Sequence, residues 1–159
     1  GIHNLILKFF GQSEGNLVNI DKFKFVQDDG RLDRTGWTVR ASRGNLNAPL
    51  ILQNTAEGWS AKPQKEGDYL LIDMKTLQTF DHITLLHPRG EHAEQYAVYA
   101  AGDDQNFIAC IATGQGETAD VMTRISFDLQ QARFLKLILL QSQAERPWTV
   151  QEVNVWCSR

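Results

Sequence analysis

Hydrophobic and polar residues alternate with period two along most of this chain, and polar turns break the alternation at short intervals. Leu5, Leu7 and Phe9 alternate with Asn4, Ile6 and Lys8, and Ile20, Phe23 and Phe25 form an apolar set with Lys22 and Lys24 facing the other way. Asp28-Asp29-Gly30 breaks the pattern and reads as a linker. Beyond it, runs at 37–41, 69–74, 83–86, 95–100, 107–112, 124–128, 134–140 and 150–156 predict strands. In the fourth of these, Tyr96, Val98 and Ala100 alternate with Gln95, Ala97 and Tyr99. Gly102-Asp103-Asp104 has hairpin-turn chemistry, and 114–116 and 141–147 read as loops. No segment has a convincing amphipathic helical period. Many short strands joined by polar turns predict an all-β sandwich or barrel rather than βαβ units.

Composition narrows the picture. With 159 residues the chain holds one domain, or one domain plus a remnant. Hydrophobic residues at 42% and charged residues at 22% suit a packed core and argue against disorder. A net charge of -3 and the lack of a long basic run leave no electrostatic footprint for nucleic acid. The longest apolar stretch, 134–140, is interrupted by Lys136 and falls far short of the ~18 residues of a membrane span. Cys110 and Cys157 make no disulfide framework. The chain opens on Gly1 inside a strand-like run, as expected of a piece of a longer protein, so a missing signal peptide says nothing about compartment.

Catalytic patterns are missing. There is no Gly-x-Ser-x-Gly elbow and no papain-like cysteine context. His82 and His87 sit five apart in one predicted strand, which sends them to opposite faces roughly 17 Å apart. Asp73 and Asp81 fall at strand ends, and nothing marks two carboxylates as facing one cleft. We expect no enzyme here.

Seven pieces in order resemble the discoidin, or coagulation-factor type C, domain, closest to its bacterial branch of family 32 carbohydrate-binding modules. They are Gly36 to Ser42 (GWTVRAS), Glu57 to Ala61 (EGWSA), Tyr69 to Met74 (YLLIDM), Phe80 to Arg89 (FDHITLLHPR), Tyr96 to Asp104, Ala132 to Leu137 (ARFLKL) and Trp148 to Trp156 (WTVQEVNVW). The resemblance implies a discoidin-like jelly-roll β-sandwich of the galactose-binding-domain kind over residues 28–159. Residues 1–27, with GIHNLILKFFG followed by NLVNIDKFKF, resemble instead the last two strands of a family 6 carbohydrate-binding module. Tandem sugar-binding modules imply a larger secreted glycan-processing enzyme, a glycoside hydrolase, with this piece as a non-catalytic module and the parent's other domains as neighbours. A secreted, periplasmic or cell-surface location follows from the resemblance alone.

A sugar offers an apolar C–H face and a rim of hydroxyls, so its site needs a flat ring and fixed polar groups. The resemblance places Arg89 in a ligand-contacting loop, where the alternative is a solvated or salt-bridged charge. Glu91 and His92 share that loop. Trp148 is the candidate stacking ring, or else it caps the edge of the core, and Arg146 is its weaker partner. Asn45 and Asn47 lie in a loop expected at the same end. Trp37 and Trp59 read as structural. Ser60 departs from the galactose-binding pattern, which often has His there, and leaves the sugar open. Many relatives hold a structural calcium, for which Glu152, Asn54 and Glu57 are the candidate ligands, although Leu52-Gln53 replaces the expected Asp-Gly. Two rival readings are a protein- or lipid-contacting discoidin domain and a spacer that binds nothing. The polar, charged loops RGEHAE and QSQAERP argue against membrane insertion.

Overall fold

The computed structural model describes residues 29–158. The strand pair expected in residues 1–27 lies outside the described residues. In chain order the elements are β1 (Thr38–Ala41), a short 3-10 helix (Ala48–Leu52), β2 (Trp59–Ala61), β3 (Tyr69–Leu86), β4 (Tyr96–Ala101), β5 (Cys110–Gly114), β6 (Met122–Leu139), β7 (Trp148–Val150) and β8 (Glu152–Trp156). All the pairings are antiparallel.

Most predicted strands are present, with instructive differences at their limits. The runs at 69–74 and 83–86 belong to one strand, β3, and those at 124–128 and 134–140 to one strand, β6. The polar stretches between them look like turns in sequence. In the fold they keep pairing across a register shift between Asp73 and Gln78, where Lys75 takes a positive φ of 71°. A bulge of this kind bends a strand sharply, which lets one strand serve both layers of a sandwich. The first half of β3 pairs with β1 and its second half with β8, while only the second half of β6 pairs with β4. Both ends of β3 therefore return to the same end of the molecule. β5 begins at Cys110 rather than 107, the short helix at 48–52 has no sequence signal beyond Pro49, and β2 lies where no strand is predicted.

The inward faces of both layers form one core that includes Leu70, Ile72, Leu135 and Leu137 from one side and Ile83, Leu85, Val153 and Val155 from the other. Trp37 and Trp59 are buried, as the sequence reading expects. At the bend, Arg133 donates through Nε to Asp73 Oδ1 at 2.8 Å and through a terminal nitrogen to Oδ2 at 3.1 Å, and the Lys75 backbone N–H donates to the same carboxylate at 2.8 Å. The Arg133 fork holds the Asp73 carboxyl well below the usual carboxylate range, so this aspartate serves the corner. Cys110 and Cys157 are free thiols.

Candidate functional site

The loops 42–47, 62–68, 87–95, 115–121 and 140–147 meet at the end opposite that bend, and a buried glutamine ties three of them together. Gln64 is 1% exposed. Its side-chain amide donates to the carbonyls of His92 at 2.8 Å and Pro147 at 3.1 Å, and its Oε1 accepts from the Glu94 N–H at 2.9 Å. Its backbone exchanges hydrogen bonds with Gln143 at 2.9 and 3.1 Å. Gly116 approaches the same cluster so closely that an added Cβ would lie 2.5 Å from His92 Cβ. With every polar group of its buried side-chain amide satisfied, Gln64 holds these loops in one arrangement.

Arg89 stands on this frame at the corner of a tight turn. The Glu91 N–H donates to the Pro88 carbonyl at 3.0 Å and Gly90 has φ of 81°, the geometry that a type II turn requires of its third residue. Pro88 fixes the start of the turn and Arg89 is left exposed, with no ion-pair partner among the described residues. Glu91 is half-buried beside it. Its carbonyl accepts from the Thr149 N–H at 2.9 Å, and its carboxylate accepts from the Thr149 hydroxyl. Because that hydroxyl has a single proton, the 2.9 Å contact between Thr149 Oγ1 and Ser60 Oγ is donated by Ser60. Ser60, Thr149 and Glu91 thus form a directed chain, which leaves acceptor capacity on the Ser60 oxygen and on the second oxygen of Glu91.

The structure corrects the expectation for Trp148. Its side chain is 1% exposed and stands edge-on to Trp59 in the core. Strand alternation decides this: β7 pairs with β2, which turns Trp148 and Val150 inward, so the ring offers no face to a ligand. His92 is likewise enclosed, 3% exposed, with Nε2 3.1 Å from an Arg146 terminal nitrogen. An arginine only donates, so Nε2 accepts and the imidazole proton sits on Nδ1, a buried atom with no partner among the described residues. Burial first, and then the Arg146 charge, push the His92 pKa down. Arg146 is committed further, to the Glu94 carboxylate. His92 is enclosed and braces the loops, and the half-buried Arg146 ties it to Glu94.

Asn45 is exposed, but its side-chain oxygen accepts from the Ala41 N–H at 2.9 Å and so shapes its own loop. Asn47 is exposed at the start of the 3-10 helix and makes no side-chain cap. Of the expected set, Arg89 and Glu91 are brought together in one turn. The sequence reading missed Gln64, Glu94 and Thr149 as site-building residues. No local pattern marks them, because each acts through a partner 28 or more positions away.

Of the three candidate calcium ligands, Glu152 and Asn54 converge on an arginine and Glu57 stays apart. Glu152 Oε1 accepts from an Arg34 terminal nitrogen at 3.3 Å and from Asn154 Nδ2 at 3.0 Å. Asn54 Oδ1 accepts from the same Arg34 nitrogen. Glu57 is exposed, and only its backbone carbonyl is engaged, by Thr55 Oγ1 at 3.1 Å. The Arg34 guanidinium occupies the oxygens of Glu152 and Asn54, and among the described residues no group of three or more His, Cys, Asp or Glu is placed to hold a metal. Calcium needs 6–8 oxygens at once, and these residues do not fit it.

Among the described residues no fully exposed ring replaces Trp148 at the loop end. Trp156, on the outer face of β8, is half-buried and borders a groove with His82, Thr84, Met122 and Arg124. His82 on the strand to one side lies parallel to it at 5.8 Å between centroids, and the guanidinium of Arg31 on the other side is 6.0 Å from its ring. That indole is already engaged by these two side chains.

This architecture, a bent two-layer antiparallel sandwich with polar loops gathered at one end, is the discoidin-like sandwich. The chain belongs to the F5/8 type C domain family, whose pattern residues 29–153 match. No curated protein sequence matches the chain. Among solved structures it is similar to CpGH89CBM32-5 from Clostridium perfringens in complex with GalNAc-β-1,3-galactose, at 18% identity and a TM-score of 0.67 over 80% of this chain and 99% of that one. It is similar to the family 32 carbohydrate-binding module of Clostridium perfringens NanJ in complex with galactose, at 15% identity and a TM-score of 0.66, covering 80% and 98%. It also resembles the C-terminal domain of a chitobiase from Bacteroides fragilis, at 17% identity and a TM-score of 0.67, covering 80% and 97%. At such identities these likenesses show a shared fold.

Proposed function

We infer that this domain is a non-catalytic carbohydrate-binding module that holds a glycan at its loop end and concentrates a larger secreted glycan-processing enzyme, a glycoside hydrolase, on its substrate. The observation that carries this reading is Arg89. Arg89 is exposed in a fixed turn that also carries Glu91, whose carboxylate ends the Ser60–Thr149 hydroxyl chain. A fork of donors with no ion-pair partner among the described residues, in the same turn as an oriented carboxylate, matches the hydroxyl rim of a sugar. The sugars bound by the similar sandwiches from Clostridium perfringens support the same reading. With Trp148 in the core the contact is polar and wet, so a single site binds with Kd on the order of mM to tens of μM, about -4 to -6 kcal/mol. A glycan array followed by titration of the hits tests this. Binding is expected in the wild type and lost in Arg89→Ala with the melting temperature unchanged. An array blank at high protein concentration overturns the reading in favour of a spacer.

One observation favours a lipid-contacting role instead. Leu46, between Asn45 and Asn47, is 96% exposed at the tip of a loop on this same end. A membrane wedge would use such a residue, and co-sedimentation with anionic vesicles that Leu46→Ser abolishes would support it over the glycan.

A further inference from the structure

We propose that Arg34 is a built-in cation that takes the structural place of a metal ion, so that this domain holds its loop end together without calcium. The guanidinium sits among four oxygens from two separate segments. One terminal nitrogen donates to the carbonyls of Val153 at 2.6 Å and Ile51 at 3.5 Å, and the other to Asn54 Oδ1 and to Glu152 Oε1 at 3.3 Å. Each terminal nitrogen carries two protons, so all four protons have an acceptor. Ile51 and Asn54 belong to the 3-10 helix and the turn after it, and Glu152 and Val153 to β8. Arg34 itself arrives on a third segment, anchored beside β8 by the Leu32 N–H to the Val155 carbonyl at 2.9 Å and tightened by the Trp37 N–H to the Arg34 carbonyl at 3.1 Å.

Two carbonyls, an amide oxygen and a carboxylate oxygen are the donor types that suit a hard cation. Here a planar fork collects them, and the side chains of Arg34 and Glu152 are only 9% and 19% exposed. An arginine keeps its charge in proteins, so this cation does not come and go with the medium. A calcium ion entering the same place would meet one carboxylate and be repelled by the guanidinium. Glu152, Asn54 and the carbonyls are thus explained by an internal partner. The claim does not depend on whether the domain binds a sugar.

Thermal melts of the purified chain test it. The wild type is expected to melt at the same temperature, within about 1 °C, in millimolar calcium and in excess EDTA. Arg34→Met, which keeps the apolar stem and removes the fork, is expected to lower the melting temperature by about 5 °C or more. Glu152→Gln should lower it by less. The double variant should fall short of the sum of the singles, because the two side chains act on one another. If Arg34→Met does not fold, Arg34→Lys, which keeps the charge and loses the fork, replaces it in the same cycle. A wild-type melting temperature that rises with calcium and falls with EDTA overturns the proposal. So does strict additivity in the double variant.

Discussion

The indole of Trp148 meets that of Trp59 edge-on, with 5.0 Å between ring centroids and 90° between their planes. The Trp59 Nε1–H donates to the Arg43 carbonyl at 2.7 Å, so the pair also anchors the 42–47 loop. This two-ring plug joins the β2–β7 ribbon to the core and carries the binding loops on its outer side.

Removing the plug therefore unfolds rather than blinds the domain. Trp148→Ala is expected to cost about 3–5 kcal/mol of stability, as large-to-small core changes do. Urea denaturation measures it. Loss of ligand binding in this variant with full stability would place the ring in the site after all.

Gln64 is the second structural dependence of the site. Replacing it by Leu leaves the His92 and Pro147 carbonyls and the Glu94 N–H without partners. A loss of about 2–4 kcal/mol is expected from such buried, unsatisfied groups. Amide exchange should quicken first in residues 62–68 and 87–95. A Gln64→Leu protein as stable as the wild type would show that the loops have another tie.

His92 makes the loop end sensitive to mild acid. Its folded-state pKa lies below the ordinary imidazole value because burial and Arg146 both disfavour the charged form, with His87 adding to them and Glu94 and Glu117 opposing. Below about pH 6.5 the unfolded chain takes up a proton that the fold refuses, so stability falls as pH drops from there through the depressed folded value. Melting temperatures between about pH 7.5 and 5 should fall more steeply for the wild type than for His92→Gln. Equal slopes would remove His92 from the account.

Asp73 gives the opposite corner a different acid response. Arg133 holds its folded pKa far below the ordinary carboxylate value, so the pairing stabilises the fold at neutral pH and its contribution is lost as pH falls below about 4. The melting temperature of Asp73→Asn should lie a few degrees under that of the wild type at neutral pH, and the gap should narrow toward about pH 2. Partial exposure keeps the effect modest. Ligand binding should be untouched, since the corner lies at the far end from Arg89.

The alternation of apolar and polar residues determined most of the strand content, because it is local: a side chain two residues on points the same way whatever surrounds it. Arg89 came from the family resemblance rather than from local pattern, and the Gly90 turn that exposes it emerges in the fold. Which face of a strand becomes the inside is not local. The pairing of β7 with β2 turned Trp148 inward, and the bend at residues 74–78 made one strand of two predicted ones. Arg34 shows the same limit most clearly: in sequence it is one charge in a polar stretch, and its acceptor on β8 lies 119 positions away. Partnerships across such distances are set by how the layers close, and only the closed fold contains them.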